Sequence, residues 1–323
     1  MAGLAPPVAA VRVAVRRALL GERPERRVLI ACSGGADSLA LAAAAAFVAP
    51  RLGLHCGLIT VDHRLQEGSG ARAESVAAWG REAGLAPSIG VAVDVTGRPG
   101  GPEAAARAAR YEALCATARE VGASTVLLGH TRDDQAETVL LALARGGGPR
   151  GLAGMPSRRE IDGIAFLRPL LDIRRAETRA ACLALGLTPW DDPHNADPAF
   201  ARARVRGALP TLVHTLGPKV IDNLARAAAL IAADNAALDA LAARAAEAAR
   251  DGDGLSAATL AAEPAATRTR VLRLYAAELG AKALSQRHIA ALDALVCQWR
   301  GQGPVALPGG IRVARRDGRL LQV

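Results

Sequence analysis

Val28-Leu29-Ile30-Ala31-Cys32-Ser33-Gly34-Gly35-Ala36-Asp37-Ser38 is the stretch from which the fold can be read. Its first five residues form a short apolar run bounded by Arg27 and a glycine pair, the pattern of a strand buried on both faces of a parallel sheet. Residues 38–48 then read as a helix, which places the glycines in a strand-to-helix turn. Working outward, residues 58–61, 91–95 and 125–128 are predicted as further strands, and 73–83, 103–121 and 133–145 as helices. This alternation predicts an α/β doubly wound parallel sheet, whose ligands sit beyond the carboxyl ends of the strands. The segments 33–38, 61–63 and 129–134 are therefore the places to look for chemistry.

Beyond residue 146, a Gly-Gly-Gly-Pro run and scattered prolines loosen the pattern, and Gly217-Pro218 is expected to close the first domain. Helices are predicted over 219–250, 265–279 and 285–299, followed by small strands turning at Gly309-Gly310 and Asp317-Gly318. The expected organisation is thus an α/β domain over 1–217 and a smaller, mainly helical C-terminal domain over 218–323.

The 323 residues include 40 Lys and Arg against 31 Asp and Glu, a formal charge of +9 that favours a polyanionic partner, nucleic acid first. A hydrophobic content of 51% excludes a disordered chain, while 2% aromatics requires a core of Ala, Leu and Val. The cysteines at 32, 56, 115, 182 and 297 form no C-x-x-C pair, which argues against a disulfide framework and against zinc. Arg12, Arg16 and Arg17 interrupt the early apolar stretch, and no apolar run approaches the ~20 residues of a membrane span. A soluble, cytoplasmic protein with reduced thiols and no membrane partner is expected.

In the first loop, Gly34 and Gly35 allow a tight turn whose N–H groups point inward at a helix N-terminus, and Ser33 and Ser38 add hydroxyls. That makes a cradle for phosphate; an ordinary turn with Asp37 or Ser38 capping the helix is the plain alternative. The G-x-G-x-x-G match at residues 146–151 is set aside, because a helix rather than a strand precedes it and Pro149 lacks an amide. In the second loop, Thr131 and Asp134 form a capping-box pattern. That leaves His130 and Glu137 unexplained; Asp134 and Glu137, three apart, are expected on one helix face towards the first loop, where acids suit an ammonium or Mg²⁺.

Ser33-Gly34-Gly35-Ala36-Asp37-Ser38 resembles the PP-loop of ATP pyrophosphatases, which cleave ATP between the α- and β-phosphates. Gly129-His130-Thr131-Arg132-Asp133-Asp134-Gln135-Ala136-Glu137-Thr138 is similar to the hallmark of the tRNA(Ile)-lysidine synthetases within that family. Val61-Asp62-His63-Arg64-Leu65, Ala106 to Tyr111, Arg168-Pro169-Leu170-Leu171, Asp191-Asp192-Pro193-His194-Asn195 and Arg202 to Arg206 match in the same order. The chain departs from the family pattern at Thr131, His194 and Ala203, and Trp190 stands one position nearer the acid pair.

The resemblance implies that ATP adenylates the C2 oxygen of the wobble cytidine in an isoleucine tRNA with a CAU anticodon, after which free L-lysine displaces AMP to give lysidine. It implies that Ser33, Gly34, Gly35, Ala36, Asp37 and Ser38 hold ATP, that Asp37 places Mg²⁺, and that Asp62 borders the adenosine. Asp133, Asp134 and Glu137 are expected to meet lysine, with Asp134 or Glu137 taking its proton. Arg110 and His130 are expected to stabilise charge at the α-phosphate and the cytidine oxygen, and Arg202, Arg204 and Arg206 to touch RNA or the adenylate; surface positions serve each arginine equally well. Arg150, Arg158, Arg159, Arg168, Arg174, Arg175 and Arg179 are expected to add phosphate-binding charge. A thiolating relative is disfavoured by the unpaired cysteines. Monomer and homodimer are both left open.

Overall fold

The computed structural model describes residues 4–23, 26–64, 68–95, 101–193 and 197–323. Leu65, His194 and Asn195, quoted above for the resemblance, lie outside the described residues. The chain divides into two compact units, Met1–Leu230 and Ile231–Val323.

The first unit opens with α1 (Pro6–Leu19), then β1 (Arg27–Ala31), α2 (Ala36–Val48), β2 (His55–Asp62), α3 (Ser69–Glu82), β3 (Ser88–Ala92) and α4 (Pro102–Glu120). It continues through β4 (Ala123–Leu128), α5 (Arg132–Ala144), the short α6 (Pro149–Leu152), the hairpin β5 (Arg158–Ile161) and β6 (Ile164–Leu167), α7 (Arg175–Ala184) and α8 (Ala201–Leu216). The sheet runs β3-β2-β1-β4-β6-β5, parallel throughout except for the antiparallel edge strand β5. Alternate residues of β1 feed opposite layers. Val28 and Ile30 pack with α1 and α2, while Leu29 packs with Tyr111, Leu114 and Ala118 of α4. Strand order reverses between β1 and β4, so the turns following these two strands flank one crevice, the position where open α/β sheets bind ligands.

The long helix α9 (Val220–Ala248) begins in the first unit and ends in the second. The second unit adds β7 (Arg250–Asp251), β8 (Gly254–Ser256), α10 (Ala257–Ala262), α11 (Ala265–Glu278), α12 (Gln286–Cys297) and strands β9 (Val305–Leu307), β10 (Ile311–Arg316) and β11 (Arg319–Gln322). Its antiparallel sheet, ordered β7-β8-β11-β10-β9, packs Val313 and Leu320 against Leu272, Leu292 and Leu295 of its helices.

Several expectations are corrected. The domain division falls inside α9 rather than at Gly217-Pro218. Val220, Ile221 and Leu224 pack with Ala136 and Leu209, and Asp222 is held by Arg132 at 2.8 Å and Arg174 at 3.1 Å, which ties the first turns of α9 to the first unit. The third strand lies at 88–92, earlier than predicted, because register with β2 pairs Ser88 with Leu58 and Ala92 with Asp62. The interval 146–218 holds a hairpin and two full helices, and the arginine-broken N-terminal stretch is an amphipathic helix burying Val8, Val11, Val15 and Leu19.

Candidate active site

The turns after β1 and β4 form the facing walls of a crevice of about 470 Å³. In the first turn the Ser33 N–H donates to Ser38 Oγ at 3.1 Å, and that hydroxyl donates to the Gly35 carbonyl at 2.9 Å. Gly34 has φ +84°, a left-handed conformation that strains any side chain, and a Cβ there would stand 3.0 Å from Val76. Its carbonyl accepts from the Trp190 N–H at 2.9 Å, so the chain after α7 lies against this first turn. The Trp190 ring is covered by the Arg72 guanidinium, 3.4 Å from its centroid.

Gly129 decides how closely the second turn approaches the first. A Cβ at this position would stand 3.1 Å from the backbone of Asp37 and Ser38, so glycine lets the two loops touch. The Thr131 N–H and hydroxyl both donate to Asp134 Oδ2, at 2.7 and 2.8 Å, which is the expected helix cap. Asp134 Oδ1 accepts from Arg175 at 3.0 Å. Burial alone would raise the Asp134 carboxyl, but the Arg175 charge and the two Thr131 donors outweigh it and hold its pKa below the ordinary value. Glu137, fully buried, is gripped by Arg206 through two bonds of 2.9 and 3.3 Å and by Arg175 at 3.0 Å.

Asp37 behaves differently. Thr178 donates to its Oδ1, and Arg175 Nε lies 3.6 Å from Oδ2. Burial, with repulsion from Asp134 in support, nonetheless pushes its pKa up to about 6. Burial and then the Arg110 charge, with Arg168 and Arg202 beyond, push His130 down to about 3, so it is a neutral imidazole at working pH rather than a cation. His130 Nδ1, His63 Nδ1 and Arg110 Nε are buried without a hydrogen-bond partner in the described structure. All three residues line the crevice, as do Thr60 and Asp62.

The structure therefore brings Ser33, Gly35, Ala36, Asp37, Ser38, Asp62, Arg110, His130, Asp134, Arg202 and Arg206 to one crevice. Gly34 shapes the turn from behind. Glu137 lies beneath Arg175 and Arg206 instead of facing open space, and Asp133 is turned away, its Oδ2 accepting from the Arg175 N–H at 2.8 Å and thereby capping α7. Arg204 also points elsewhere, donating to Pro198 and Ala199 carbonyls at 2.7 and 3.0 Å. Arg202 and Arg206, four apart on α8, share the crevice face that Arg204 cannot reach.

Two crevice-building residues were missed in that role: Thr178 was not read from the sequence at all, and Arg175 was expected only as phosphate-binding charge; their local signal is an R-x-x-T spacing at the start of an unrecognised helix. Of the arginines expected on a phosphate-binding surface, Arg168, Arg174 and Arg175 are used inside the fold: Arg168 is 3% exposed and donates to the Pro156 carbonyl at 2.7 Å, and the other two pair with acids. Among the described residues no group of three or more His, Cys, Asp or Glu side chains is placed to cage a metal. One available carboxylate at Asp37 fits a magnesium ion held mainly through substrate phosphates.

Residues 11–212 match the model of the PP-loop domain, and residues 255–321 that of the TilS substrate binding domain. The chain is 64% identical to the tRNA(Ile)-lysidine synthase of Salinispora tropica, covering all of this chain and 98% of that one. It is 54% identical to the same enzyme of Thermobifida fusca over 99% of both chains. Among solved structures, the U34-tRNA thiolase NcsA from Methanococcus maripaludis, described with its [4Fe-4S] cluster, superposes with a TM-score of 0.55 at 19% identity, covering 69% of this chain and 78% of that one, a likeness of fold.

Proposed function

This chain belongs to the tRNA(Ile)-lysidine synthase family, ligases built on an ATP-using PP-loop domain, and from that premise we propose how its crevice makes lysidine on tRNA(Ile). ATP lies with its β- and γ-phosphates on the amides and hydroxyls of residues 33–38 and its adenosine along Thr60 to Asp62. Its α-phosphate faces the second loop. The C2 oxygen of the wobble cytidine, in a CAU anticodon, attacks the α-phosphorus and diphosphate leaves. The neutral ε-amine of free lysine then attacks C2, loses a proton, and expels AMP as the C–O bond breaks. A ring oxygen leaves poorly by itself, and adenylation turns it into a good leaving group.

Arg110 and Arg202 supply positive charge where the α-phosphate and cytidine oxygen meet, and neutral His130 offers a hydrogen bond there. A magnesium ion held by Asp37 would neutralise charge on the outer phosphates. Free lysine has an amine pKa of ~10.4, so a carboxylate must take its proton. Asp134 and Glu137 are the carboxylates placed to meet the ammonium, and Arg175 and Arg206 fix their positions. Asp134, which lines the crevice, or Glu137 beneath it takes that proton, and Asp37 is left to the magnesium ion. The second unit, which contains the substrate-binding match, is assigned to the tRNA.

The observation that carries this reading is the contact between loops at Gly129, which puts a phosphate cradle and an acid-and-arginine cluster within one crevice. The test is incubation with ATP, Mg²⁺, labelled lysine and tRNA transcripts that differ only at the wobble base. Label is expected in the cytidine transcript alone; ATP binding without lysine-dependent AMP release would overturn the reading.

A further inference from the structure

We propose that Arg175 and Thr178, one turn apart on α7, are positioning residues that lock the phosphate-loop acid Asp37 and the acid pair Asp134 and Glu137 into one rigid unit. This rests on the crevice being the ATP and cytidine site.

Asp37 stands on the first turn of α2 and Asp134 and Glu137 on the first two turns of α5, helices that follow different strands. Gly129 permits the two loops to touch but bonds nothing together. The ties come from α7. Thr178, fully buried, donates its hydroxyl to Asp37 Oδ1. Arg175 Nη2 lies 3.0 Å from both Asp134 Oδ1 and Glu137 Oε1, while its Nε faces Asp37 Oδ2 at 3.6 Å. A planar guanidinium presents donors along two edges at once, which a lysine ammonium does not. The helix is itself moored at both loops: the Asp133 carboxylate accepts from the Arg175 N–H at 2.8 Å, and Cys182 Sγ donates to the Ala36 carbonyl at 3.3 Å. Small errors of register between reacting groups cost rate steeply, about 10²-fold per 1 Å, so a helix that fixes both loops acts on turnover without touching the reacting atoms.

The experiment compares Thr178→Val, Thr178→Ser and Arg175→Lys in full-length enzyme. Two quantities are read: lysidine formation, as kcat and KM for tRNA, and affinity for a non-hydrolysable ATP analogue with Mg²⁺ by calorimetry. Thr178→Val is expected to lower kcat by about tenfold or more with KM for tRNA within about twofold, and Thr178→Ser to recover most of it. Arg175→Lys, which keeps the charge and loses the fork, is expected to lower kcat by about 10²-fold. Because Thr178 acts through Asp37, Thr178→Val should weaken analogue binding in the wild-type background and change nothing in an Asp37→Ala background. Wild-type kcat in Thr178→Val, or an equal loss of affinity in both backgrounds, overturns the proposal. Should the wild type make no lysidine while the binding coupling persists, the reaction reading fails and the positioning role stands.

Discussion

Burial holds the Asp37 carboxyl at about 6, above the ~3.9 of an unfolded aspartate. A group whose pKa rises on folding stabilises the fold fully below its unfolded pKa, and that stabilisation is lost as pH rises through the folded value. Asp37→Asn is therefore expected to raise the unfolding midpoint of the ligand-free protein by a few degrees at pH 8, about 1–3 kcal/mol, with the gain vanishing towards pH 4. A gain that is the same at both pH values would contradict it. In the same variant, diphosphate release should fall by at least about 10²-fold, measured with ATP and tRNA present. His130, pushed down to about 3, does not change charge between pH 5 and 8. His130→Asn should thus lower kcat/KM by a similar factor across that range, and a changed profile shape would show that His130 titrates there. Ser33, Asp37, His130 and Asp134 were legible as candidates because each stands in a local pattern at the end of a strand. Thr178 was not, and Arg175 read only as phosphate-binding charge, because no spacing along the chain announces that residue 178 will reach residue 37.

Elements decide how those residues meet. Gly129→Ala would push a methyl group to 3.1 Å from the Asp37 and Ser38 backbone, which cannot yield without separating the loops. It is expected to lower kcat by about 10- to 100-fold, by the same register argument, with tRNA affinity within about twofold. On α8, Arg206→Ala removes the bidentate partner of a fully buried carboxylate, and a loss of about 2–4 kcal/mol in chemical denaturation is expected. Arg204→Ala, two residues away on the opposite face, should stay within ~0.5 kcal/mol. The central strands were readable because strands buried on both faces are continuous apolar runs. Strand β3 was misplaced because it is an edge strand with Gly90 at its middle, and β5, with three exposed residues of four, carries almost no hydrophobic signal. Helix α7 is short and begins among arginines that read as surface charge until their acid partners are seen.

At the scale of the whole molecule, every crevice residue belongs to the first unit, while the second has its own core around Leu272, Leu292, Val313 and Leu320. Removing residues 231–323, rather than 218–323, keeps the first turns of α9 that pack on Ala136 and Leu209. That truncation should bind an ATP analogue within about twofold of the full chain and lose most of its tRNA affinity, with tRNA binding of the intact protein falling steeply with added salt. Unchanged tRNA affinity after truncation would reassign the RNA surface to the first unit. No helix among the described residues is long and apolar enough to cross a membrane.

The α/β class, the two-part organisation, the glycine turn after β1 and the acidic loop after β4 all follow from local order along the chain, because hydrophobic period, glycine placement and capping chemistry act over a few residues. The arginines that neutralise Asp134 and Glu137, the turning of Asp133 and Arg204 away from the crevice, and the end of the first unit inside α9 were settled only by folding. Charge pairing and burial depend on distances across space, and segments 41 to 141 residues apart acquire those distances only when the sheet brings their ends together.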